Sequence, residues 1–438
     1  ISGQVFLAQT IGKYPGLRTM GVQEINIVDI VRPITKYAVM VEDAQEIRHH
    51  LEKAVYIATH GRPGPTWIDI PANIQNAIVD PTALRGFDSQ DYEVNLDPEL
   101  ETKVSEVVRL LKSARRPLLH IGQGVRIAGA GEEFSQLVEE FRLPFVTARN
   151  ANDMVPWDHA LYIGRPGTFA QRGANFAVQT SDLYLAIGTR LSLAQTGYNA
   201  KDYARNAKVI MVDIDQAELD KDTVNLHLKI QTDAKLFLQE LRRQLSQEKL
   251  DIHLWDPWLE QCQQWKQKYP VVLPEYREQV GSVNSYHFID TLSDVLTPND
   301  IVVTDMGFAF QNTHQAFRVK TGQRVFTNCG LASMGWGLPA AVGACFGSGK
   351  KRTICIAGEG GLLMTIQEMA TIMHHRLPVK LFVLNNGGYL TIKQTQELGF
   401  EGRVMGSNED SGLSFPDFMK IAEAHGFRGV RLNSHQSL

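Results

Sequence analysis

The stretch GEGGLLMTIQEMATIMHHRLPVKLFVLNN occupies residues 358–386 and decides which fold the sequence predicts. The apolar run at residues 352–357 predicts a buried strand, and the glycines that follow it predict a turn. A helical pattern comes next, with apolar side chains every three or four residues at Leu362, Ile366, Met369 and Met373. A second apolar run, residues 379–384, leads to two asparagines. The stretch therefore predicts a strand–helix–strand crossover with parallel strands.

Polar side chains follow both predicted strands. Because parallel strands end at the same edge of a sheet, Glu359 and Asn386 are expected to lie side by side. A carboxylate and an amide oxygen, next to glycines and a helix N-terminus, suit Mg²⁺ bound to a diphosphate. The alternative is an ordinary crossover with a polar loop, which the letters GEG taken alone would favour.

Bulk properties narrow the class of protein. The 438 residues predict about three domains at ~150 residues each. A hydrophobic content of 43% and a charged content of 21% are typical of a globular protein. The net charge of −4 without a basic stripe argues against nucleic acid as a partner, and no apolar run reaches the ~20 residues that cross a bilayer. The four cysteines lack CxxC spacing, which predicts buried free thiols in a reducing cytoplasm.

The chain divides into three α/β segments, residues 1–78, 99–247 and 286–438. A tryptophan-rich helical stretch at residues 255–265 lies between the second and the third, and its tryptophans are expected to be packing anchors. Ser414 predicts the N-cap of a last helix. The sequence starts without an initiator methionine and stops without an evident domain end, which predicts a piece cut at both ends.

The middle segment carries four loops that follow predicted strands. Because these strands are expected to be parallel, the loops should meet at one sheet edge and form a dinucleotide pocket. For the first loop alone, a tight strand-to-helix turn is the better interpretation, since its glycines do not make a full GxGxxG. The residues concerned are Gly122, Gly124, Gly188, Arg190, Asp213 and Asp233.

The spacing of GEG and the paired asparagines resembles the motif of thiamine-diphosphate (ThDP) enzymes, which is usually GDG, about two dozen residues, and then NN. Here 24 residues separate Gly360 from Asn385, and Glu359 stands where that family usually has Asp. The chain is similar to the acetolactate synthase (acetohydroxyacid synthase) branch over nearly its whole length. The segments with counterparts there, in the same order, are ISGQV, VQEINIVDIVRPITK, GRPGPTWIDIP, GLASMGWGLPAA, LNN and FPDFMKIAEAHG.

The resemblance implies an α/β fold with three doubly wound parallel-sheet domains, pyrimidine-binding, central and diphosphate-binding. Residues 1–78 would be the C-terminal part of the first, residues 99–247 the central domain, and residues 286–438 a third domain with an incomplete C-terminus. The half-domain with the glutamate that activates the cofactor would be missing. Active sites in this family lie between subunits, so a homodimer or a homotetramer is expected.

The resemblance also assigns roles to residues. Glu359, Asn386 and the Gly388 carbonyl would ligate Mg²⁺. ThDP would be bound by Gly307, Phe308, Ala309, Ala332, Met334, Gly358, Gly360 and Gly361, with Met334 holding the cofactor bent. Gln23 would face the substrate, and the six central-segment residues named above match a region that holds FAD in this branch.

The implied reaction is a ThDP-dependent carboligation. A 2-oxo acid, pyruvate in the first place, would lose carbon dioxide, and its two-carbon unit would pass to pyruvate or a keto-sugar. The sequence departs from the branch at Val22, at Thr395 and at residues 191–195, which leaves the acceptor and the flavin open. The segments NNGGYLTIKQTQ and SGLSFPDF look closer to acetolactate-synthase-like proteins of polysaccharide gene clusters. The alternatives are a ThDP-dependent decarboxylase or C–C hydrolase, and a non-catalytic relative.

Overall fold

The structure is a computed structural model that describes residues 1–14, 16–92 and 97–438. Its contacts divide the chain into two compact units. The first comprises Ile1–Pro98 with Ile214–Gln216, and the second comprises Glu99–Asp213 with Ala217–Leu438.

The first compact unit is built on a three-stranded parallel sheet in the order β1-β3-β2. Its core is small, with Val41, Ala54 and Ile68 buried between the sheet and helix α2. The elements are β1 (Ser2–Gln4), α1 (Ile27–Val31), β2 (Tyr37–Met40), α2 (Ile47–Thr59), β3 (Thr66–Pro71) and α3 (Ala72–Gln75).

The second compact unit begins with a six-stranded parallel sheet in the order β6-β5-β4-β7-β8-β9. Its elements are α4 (Leu100–Ser113), β4 (Pro117–Ile121), α5 (Gln123–Ile127), α6 (Gly131–Phe141), β5 (Phe145–Thr147), β6 (Tyr162–Gly164), α7 (Arg172–Thr180), β7 (Leu183–Ile187), α8 (Leu193–Thr196), β8 (Lys208–Asp213), α9 (Gln216–Asp220), β9 (Leu226–Gln231), α10 (Ala234–Ser246) and α11 (Asp256–Lys268).

Both faces of this sheet are covered, because the alternating side chains of one strand enter two different cores. On β7, Leu183, Leu185 and Ile187 pack into one core. Tyr184 and Ala186 pack into the other. A strand buried on both faces needs a continuous apolar sequence, which is why the runs in this segment do not alternate with polar residues.

The same unit continues with a four-stranded parallel sheet in the order β11-β10-β12-β13. Here Ile354 and Ile356 of β12 enter one core, and Cys355 and Ala357 enter the other. The elements are α12 (Pro274–Glu278), α13 (Ser285–Val295), β10 (Ile301–Thr304), α14 (Phe308–Ala316), β11 (Arg324–Phe326), α15 (Gly337–Gly347), β12 (Thr353–Gly358), α16 (Glu359–Met364), α17 (Glu368–His374), β13 (Val379–Leu384), α18 (Leu390–Gly399) and α19 (Phe418–Ala424).

The parallel sheets confirm the predicted α/β class with three doubly wound domains. The domain limits drawn from the sequence stay predictions. The tryptophan prediction is confirmed, since Trp255 and Trp258 are buried and their indole N–H groups donate to the carbonyls of Ala114 and Pro117 at 3.1 and 2.9 Å. Within the described residues, no helix combines the length and the apolar character needed to cross a bilayer.

Two local predictions are wrong. The single helix expected after Gly358 is broken into α16 and α17, because the chain turns at Thr365, whose hydroxyl donates to the carbonyl of Gly335 at 2.9 Å. The last helix begins at Phe418 and its N-cap is Asp417, which accepts from the backbone N–H of Met419. Ser414 lies before the helix, and the carboxylate nearer to the first turn makes the cap.

Candidate functional site

The carboxyl ends of β12 and β13 form the candidate site. The two strands pair in parallel with Gly358 opposite Leu384, so the residues after them meet at one edge, as the sequence predicts. Glu359 is completely buried there. Its Oε1 accepts hydrogen bonds from the backbone N–H groups of Asn386 and Gly388, both at 2.9 Å.

The other carboxylate oxygen of Glu359, Oε2, is buried and has no hydrogen-bond partner. A buried carboxylate oxygen without a partner is costly, and a bound cation would supply the missing interaction. A free carboxylate oxygen, with the backbone of Asn386 bonded to the other oxygen of the same carboxylate, fits the oxygen coordination that Mg²⁺ prefers.

The two glycines that follow Glu359 are required by close packing. A Cβ atom on Gly360 would lie 2.0 Å from the ring of Tyr389, and one on Gly361 would lie 2.5 Å from the carboxylate of Asp305. Side chains at either position would push these neighbours away. Gly360 and Gly361 therefore form a helix start that other parts of the chain approach very closely.

Asp305 is a residue of this site that the sequence reasoning missed. It follows β10, is buried, and accepts hydrogen bonds from the backbone N–H groups of Met306 at 2.7 Å and Gly335 at 3.0 Å. Burial raises the pKa of Asp305, and the backbone donors only partly oppose this. The available signal was a lone acid directly after the apolar run of β10, since such an acid lies at the same edge as Glu359.

Asp305 thereby brings together the other predicted cofactor residues. Gly307, with a φ of 78°, precedes α14, so Phe308 and Ala309 form the first turn of a helix that starts at the same sheet edge as α16. Ala332, in the left-handed region with a φ of 57°, and Met334 lie on the loop that Asp305 holds through Gly335. Two helix N-termini at one edge suit a diphosphate.

Gln23 lies in the first compact unit. It occupies an exposed turn with a φ of 62°, just before the helix that Asn26 caps. The neighbouring Glu24 accepts hydrogen bonds from the backbone N–H groups of Ile11 and Met20, at 3.0 and 3.3 Å. The assignment of Gln23 to the substrate stays a prediction.

The six-stranded sheet brings its four loops to one edge, as expected, because β4, β7, β8 and β9 are consecutive in the sheet. Its glycines contact one another. A Cβ on Gly122 would lie 2.1 Å from the carbonyl oxygen of Gly188, and one on Gly124 would lie 2.7 Å from the Cα of Gly188. The tight strand-to-helix turn, which the sequence favoured for the first loop, accounts for these glycines.

The charged groups Arg190 and Asp233 at this second edge have partners within the protein, while Oε1 of Gln123 and the hydroxyl of Thr232 are buried there without one. The Arg190 guanidinium donates to Glu218 at 2.6 Å, and Asp233 caps α10 by accepting from the N–H of Lys235 at 2.8 Å. Asp213 ends β8 beside them. FAD binding at this edge stays a prediction.

A buried chain of hydrogen bonds lies behind the same edge. Thr189 donates to the side-chain carbonyl of Gln195 at 3.2 Å, and the Gln195 amide lies 3.0 Å from Nε2 of His120. His120 Nδ1 contacts the Tyr184 hydroxyl, which lies 2.7 Å from the Tyr203 hydroxyl. Burial lowers the pKa of His120 to about 3, so its ring is neutral. This chain holds the Gln195 side chain against β4.

Comparison with known protein families agrees with the geometry. The family described as "Thiamine pyrophosphate enzyme, central domain" matches residues 104–241, and "Thiamine pyrophosphate enzyme, C-terminal TPP binding domain" matches residues 305–438. The second match contains both Asp305 and Glu359. The chain is therefore a member of the thiamine-pyrophosphate-dependent enzymes.

Individual relatives narrow the family. The chain is 30% identical to the acetolactate synthase large subunit of Cyanidium caldarium, over 95% of this chain and 70% of that protein. It is 30% identical to the acetolactate synthase isozyme 1 large subunit of Escherichia coli K12, over 99% of this chain and 73% of that protein. It is 32% identical to the acetolactate synthase large subunit of Corynebacterium glutamicum, over 96% of this chain and 67% of that protein. The chain belongs to the acetolactate synthase family, which confirms the resemblance.

Proposed function

We propose that this protein binds Mg²⁺ and ThDP at the edge of the four-stranded sheet and catalyses a carboligation that starts from a 2-oxo acid. Pyruvate would be decarboxylated and its two-carbon unit transferred to a second carbonyl compound, pyruvate or a keto-sugar. The observation that supports this proposal best is the buried Oε2 of Glu359, which lacks a hydrogen-bond partner at the strand end where the family motif lies. When bound, ThDP supplies the carbon nucleophile and the electron sink for loss of carbon dioxide.

The protein's own residues would bind and orient the reactants. Glu359 Oε2, the Asn386 side chain and the Gly388 carbonyl would ligate the metal. Oε1 would meanwhile keep the loop in place through its two backbone hydrogen bonds. Glutamate can serve both purposes because its extra methylene reaches the N–H groups of Asn386 and Gly388 while the second oxygen stays free.

The cofactor's two ends would meet different elements. The N-termini of α14 and α16 would face the diphosphate oxygens, because unpaired backbone N–H groups and the helix dipole favour negative charge there. Met334 and the Ala332 carbonyl would contact the rings. Asp305 would act indirectly, because its hydrogen bond from Gly335 fixes the loop with Ala332 and Met334 to the end of β10.

Product analysis tests the proposal. The purified protein is incubated with pyruvate, ThDP and Mg²⁺, and the products are separated and quantified. Acetolactate is the expected product, and consumption of pyruvate with a keto-sugar adduct would support the same chemistry with another acceptor. Acetaldehyde alone would favour a decarboxylase. Tight ThDP binding without any pyruvate consumption, in the presence or absence of acceptors, would contradict the proposed activity and favour a non-catalytic relative.

Assembly into a homodimer or homotetramer and a cytoplasmic location stay predictions. Size-exclusion chromatography with light scattering measures the first directly.

A further inference from the structure

Arg149 occupies a junction between the two sheets of the second compact unit. It follows β5, and its neighbour Asn150 pairs with the backbone of Thr327, donating to the carbonyl at 3.1 Å and accepting from the N–H at 3.4 Å. The Thr327 hydroxyl in turn donates to the carbonyl of Thr304 at 3.0 Å. Arg149 is therefore anchored directly beside the loop of residues 328–334, which carries Ala332 and Met334.

The Arg149 guanidinium is held in a defined orientation. Its Nη2 donates to the Thr168 hydroxyl and to the Ala194 carbonyl, both at 3.1 Å. The cation lies 5.8 Å from the ring centre of Phe169 and 5.2 Å from that of Phe310. Two hydrogen bonds and two aromatic rings fix a planar cation in space, which is the preorganisation that anion recognition requires.

This cation has no counter-charge of its own. Among the residues that the structure describes, no carboxylate oxygen lies within the 4.0 Å ion-pair distance of Arg149. Its Nε is buried and lacks a hydrogen-bond partner, as is also true of Arg126 and Arg165. Arg149 differs from Arg126 and Arg324 in its missing counter-charge, since those two share the buried carboxylate of Asp153. A partly buried guanidinium without a counter-charge is electrostatically unfavourable, and a bound anion would supply that counter-charge.

The surroundings of Arg149 are electropositive. Burial raises the pKa of the Cys329 thiol, and Arg149 and Arg190 both act in the opposite direction, which places two cations near this loop. His314 stacks on Phe310 with ring centres 5.4 Å apart, and both of its ring nitrogens are buried without partners. Burial, with Arg165 and Arg149, holds the pKa of His314 well below its usual range, so it is neutral.

Arg165 does not compete for the same role. It is buried and donates to the carbonyls of His314 and Phe317, the latter at 2.6 Å. These carbonyls end α14, where the helix dipole favours a cation. Arg165 therefore stabilises a helix terminus through two backbone carbonyls, although its Nε also lacks a partner, whereas Arg149 donates to a single backbone carbonyl, that of Ala194.

We propose that Arg149 binds the anionic oxygen group of the substrate, a carboxylate or a phosphate, next to the Met334 loop. A guanidinium edge matches both groups in shape and charge. This inference rests on the proposed function, because it assigns the anion to a substrate of that reaction. A carboxylate would come from the 2-oxo acid, and a phosphate from a phosphate-bearing acceptor.

The test measures anion binding without turnover. The protein loaded with ThDP and Mg²⁺ is titrated by calorimetry with oxamate, an unreactive carboxylate analogue of a 2-oxo acid, and separately with inorganic phosphate. We expect Arg149→Met to lower the affinity for one or both probes by about tenfold or more, because a charge-assisted hydrogen bond is lost. Arg149→Lys should lower the affinity less. Arg172→Met is the matched control, since Arg172 also stacks on an aromatic ring, Tyr269 at 4.5 Å, and is exposed.

The outcomes separate the sources of the anion. Weakened oxamate binding alone identifies a carboxylate, weakened phosphate binding alone identifies a phosphate, and weakening of both identifies a general anion site. If wild type binds neither probe, or if Arg149→Met binds both as wild type does with an unchanged melting temperature, the assignment is overturned. Should Arg149→Met fail to fold, Arg149→Gln and Arg149→Lys make the same comparison.

The result is independent of the proposed activity. Arg149-dependent oxamate binding in a protein that makes no product from pyruvate would refute the carboligation and leave the anion site standing. Product formation from pyruvate, together with probe binding that does not depend on Arg149, would support the carboligation and refute the anion site.

Discussion

The two larger sheets of this protein have the same parallel architecture and differ in what lies at their carboxyl edges. At the four-stranded sheet, Glu359 uses one oxygen to hold a loop and leaves the other buried without a partner. At the six-stranded sheet, Arg190 pairs with Glu218, and Asp233 caps a helix. The groups buried there without a partner include the neutral Gln123 Oε1 and Thr232 hydroxyl and, after β5, the Nε of Arg149. The same topology therefore leaves a carboxylate oxygen unpartnered at one edge and a guanidinium nitrogen at the other, which favours ligands of opposite charge, since an uncompensated buried polar group carries a desolvation cost.

The largest effect is expected from removing the Glu359 carboxylate. Glu359→Ala should weaken Mg²⁺-dependent ThDP binding by about a hundredfold or more in calorimetry, because a charged metal ligand is lost. Glu359→Gln distinguishes the roles of the two oxygens. Its amide carbonyl can still accept from the N–H groups of Asn386 and Gly388, but the second position no longer carries a charged oxygen. This variant should have the wild-type melting temperature and a lower affinity for ThDP. Glu397→Ala, on exposed helix α18, is the control. Unchanged affinity in Glu359→Ala would sink the metal assignment.

The next effect concerns packing at the same edge. Gly360→Ala should lower the free energy of unfolding by about 1–3 kcal/mol, because the new methyl group collides with the Tyr389 ring. In a Tyr389→Ala background the same change should cost much less, and a double-mutant cycle measured by chemical denaturation gives the coupling. Gly343→Ala in α15, with open space around its Cα, is the control and should be neutral or stabilising. A cycle without coupling would show that Tyr389 does not lie over Gly360.

Two aspartates that flank β10 should make contributions to folding stability that change with pH in opposite directions. Burial alone would raise the pKa of Asp300, but Arg352 and Thr297 outweigh it and the pKa is lowered. Its stabilising contribution is therefore present above the unfolded-state pKa and is lost as pH falls through the folded-state pKa. The pKa of Asp305 is raised, so its contribution is present at low pH and is lost as pH rises through the folded-state pKa.

Asp300→Asn tests the pH dependence expected for Asp300. It should cost about 1–3 kcal/mol at neutral pH, discounted for the half-exposed Arg352, and the cost should vanish below the acid transition. Arg352→Met should behave in the same way. Denaturant unfolding between acidic and neutral pH gives both curves, and a cost that is independent of pH would contradict the ion-pair explanation.

The smallest effect is expected at the six-stranded sheet. Arg190→Ala should change the free energy of unfolding by less than about 1 kcal/mol, because the Arg190 side chain is 57% exposed. It should leave ThDP affinity unchanged. The wild-type protein, incubated with FAD and then gel-filtered, tests the predicted flavin by its absorbance. A colourless protein after that treatment would contradict FAD and would deepen the contrast between the two sheet edges.

Part of this site can be derived from sequence because it depends on local periodicity. The adjacency of Glu359 and Asn386 follows from two apolar runs and one crossover, which a reader of the sequence can count. The role of Asp305 depends on a hydrogen bond to Gly335, 30 residues away, and no local pattern encodes it. The break at Thr365 has the same origin, since its hydroxyl bonds to Gly335 across the fold.

The choice of helix cap shows the same limit on a smaller scale. Ser414 and Asp417 are both good N-caps by residue type, and the backbone path selects Asp417. The buried chain through His120 and Gln195 was also invisible, because its members lie 75 positions apart. What the sequence conveys is where strands end; which polar groups meet there is decided by tertiary packing.

The hydrogen-bond chain behind the six-stranded sheet has a defined direction at Gln195, and this fixes the tautomer of one imidazole. Because the Thr189 hydroxyl donates to the Gln195 carbonyl, the Gln195 amide must donate its N–H to Nε2 of His120. The ring hydrogen therefore sits on Nδ1 and is donated to the Tyr184 oxygen, which also shares a hydrogen bond with the Tyr203 hydroxyl. In nitrogen-15 spectra, His120 should show a pyrrole-type Nδ1 and a pyridine-type Nε2 down to pH about 3, so this single ring can serve as a spectroscopic marker of the intact central sheet.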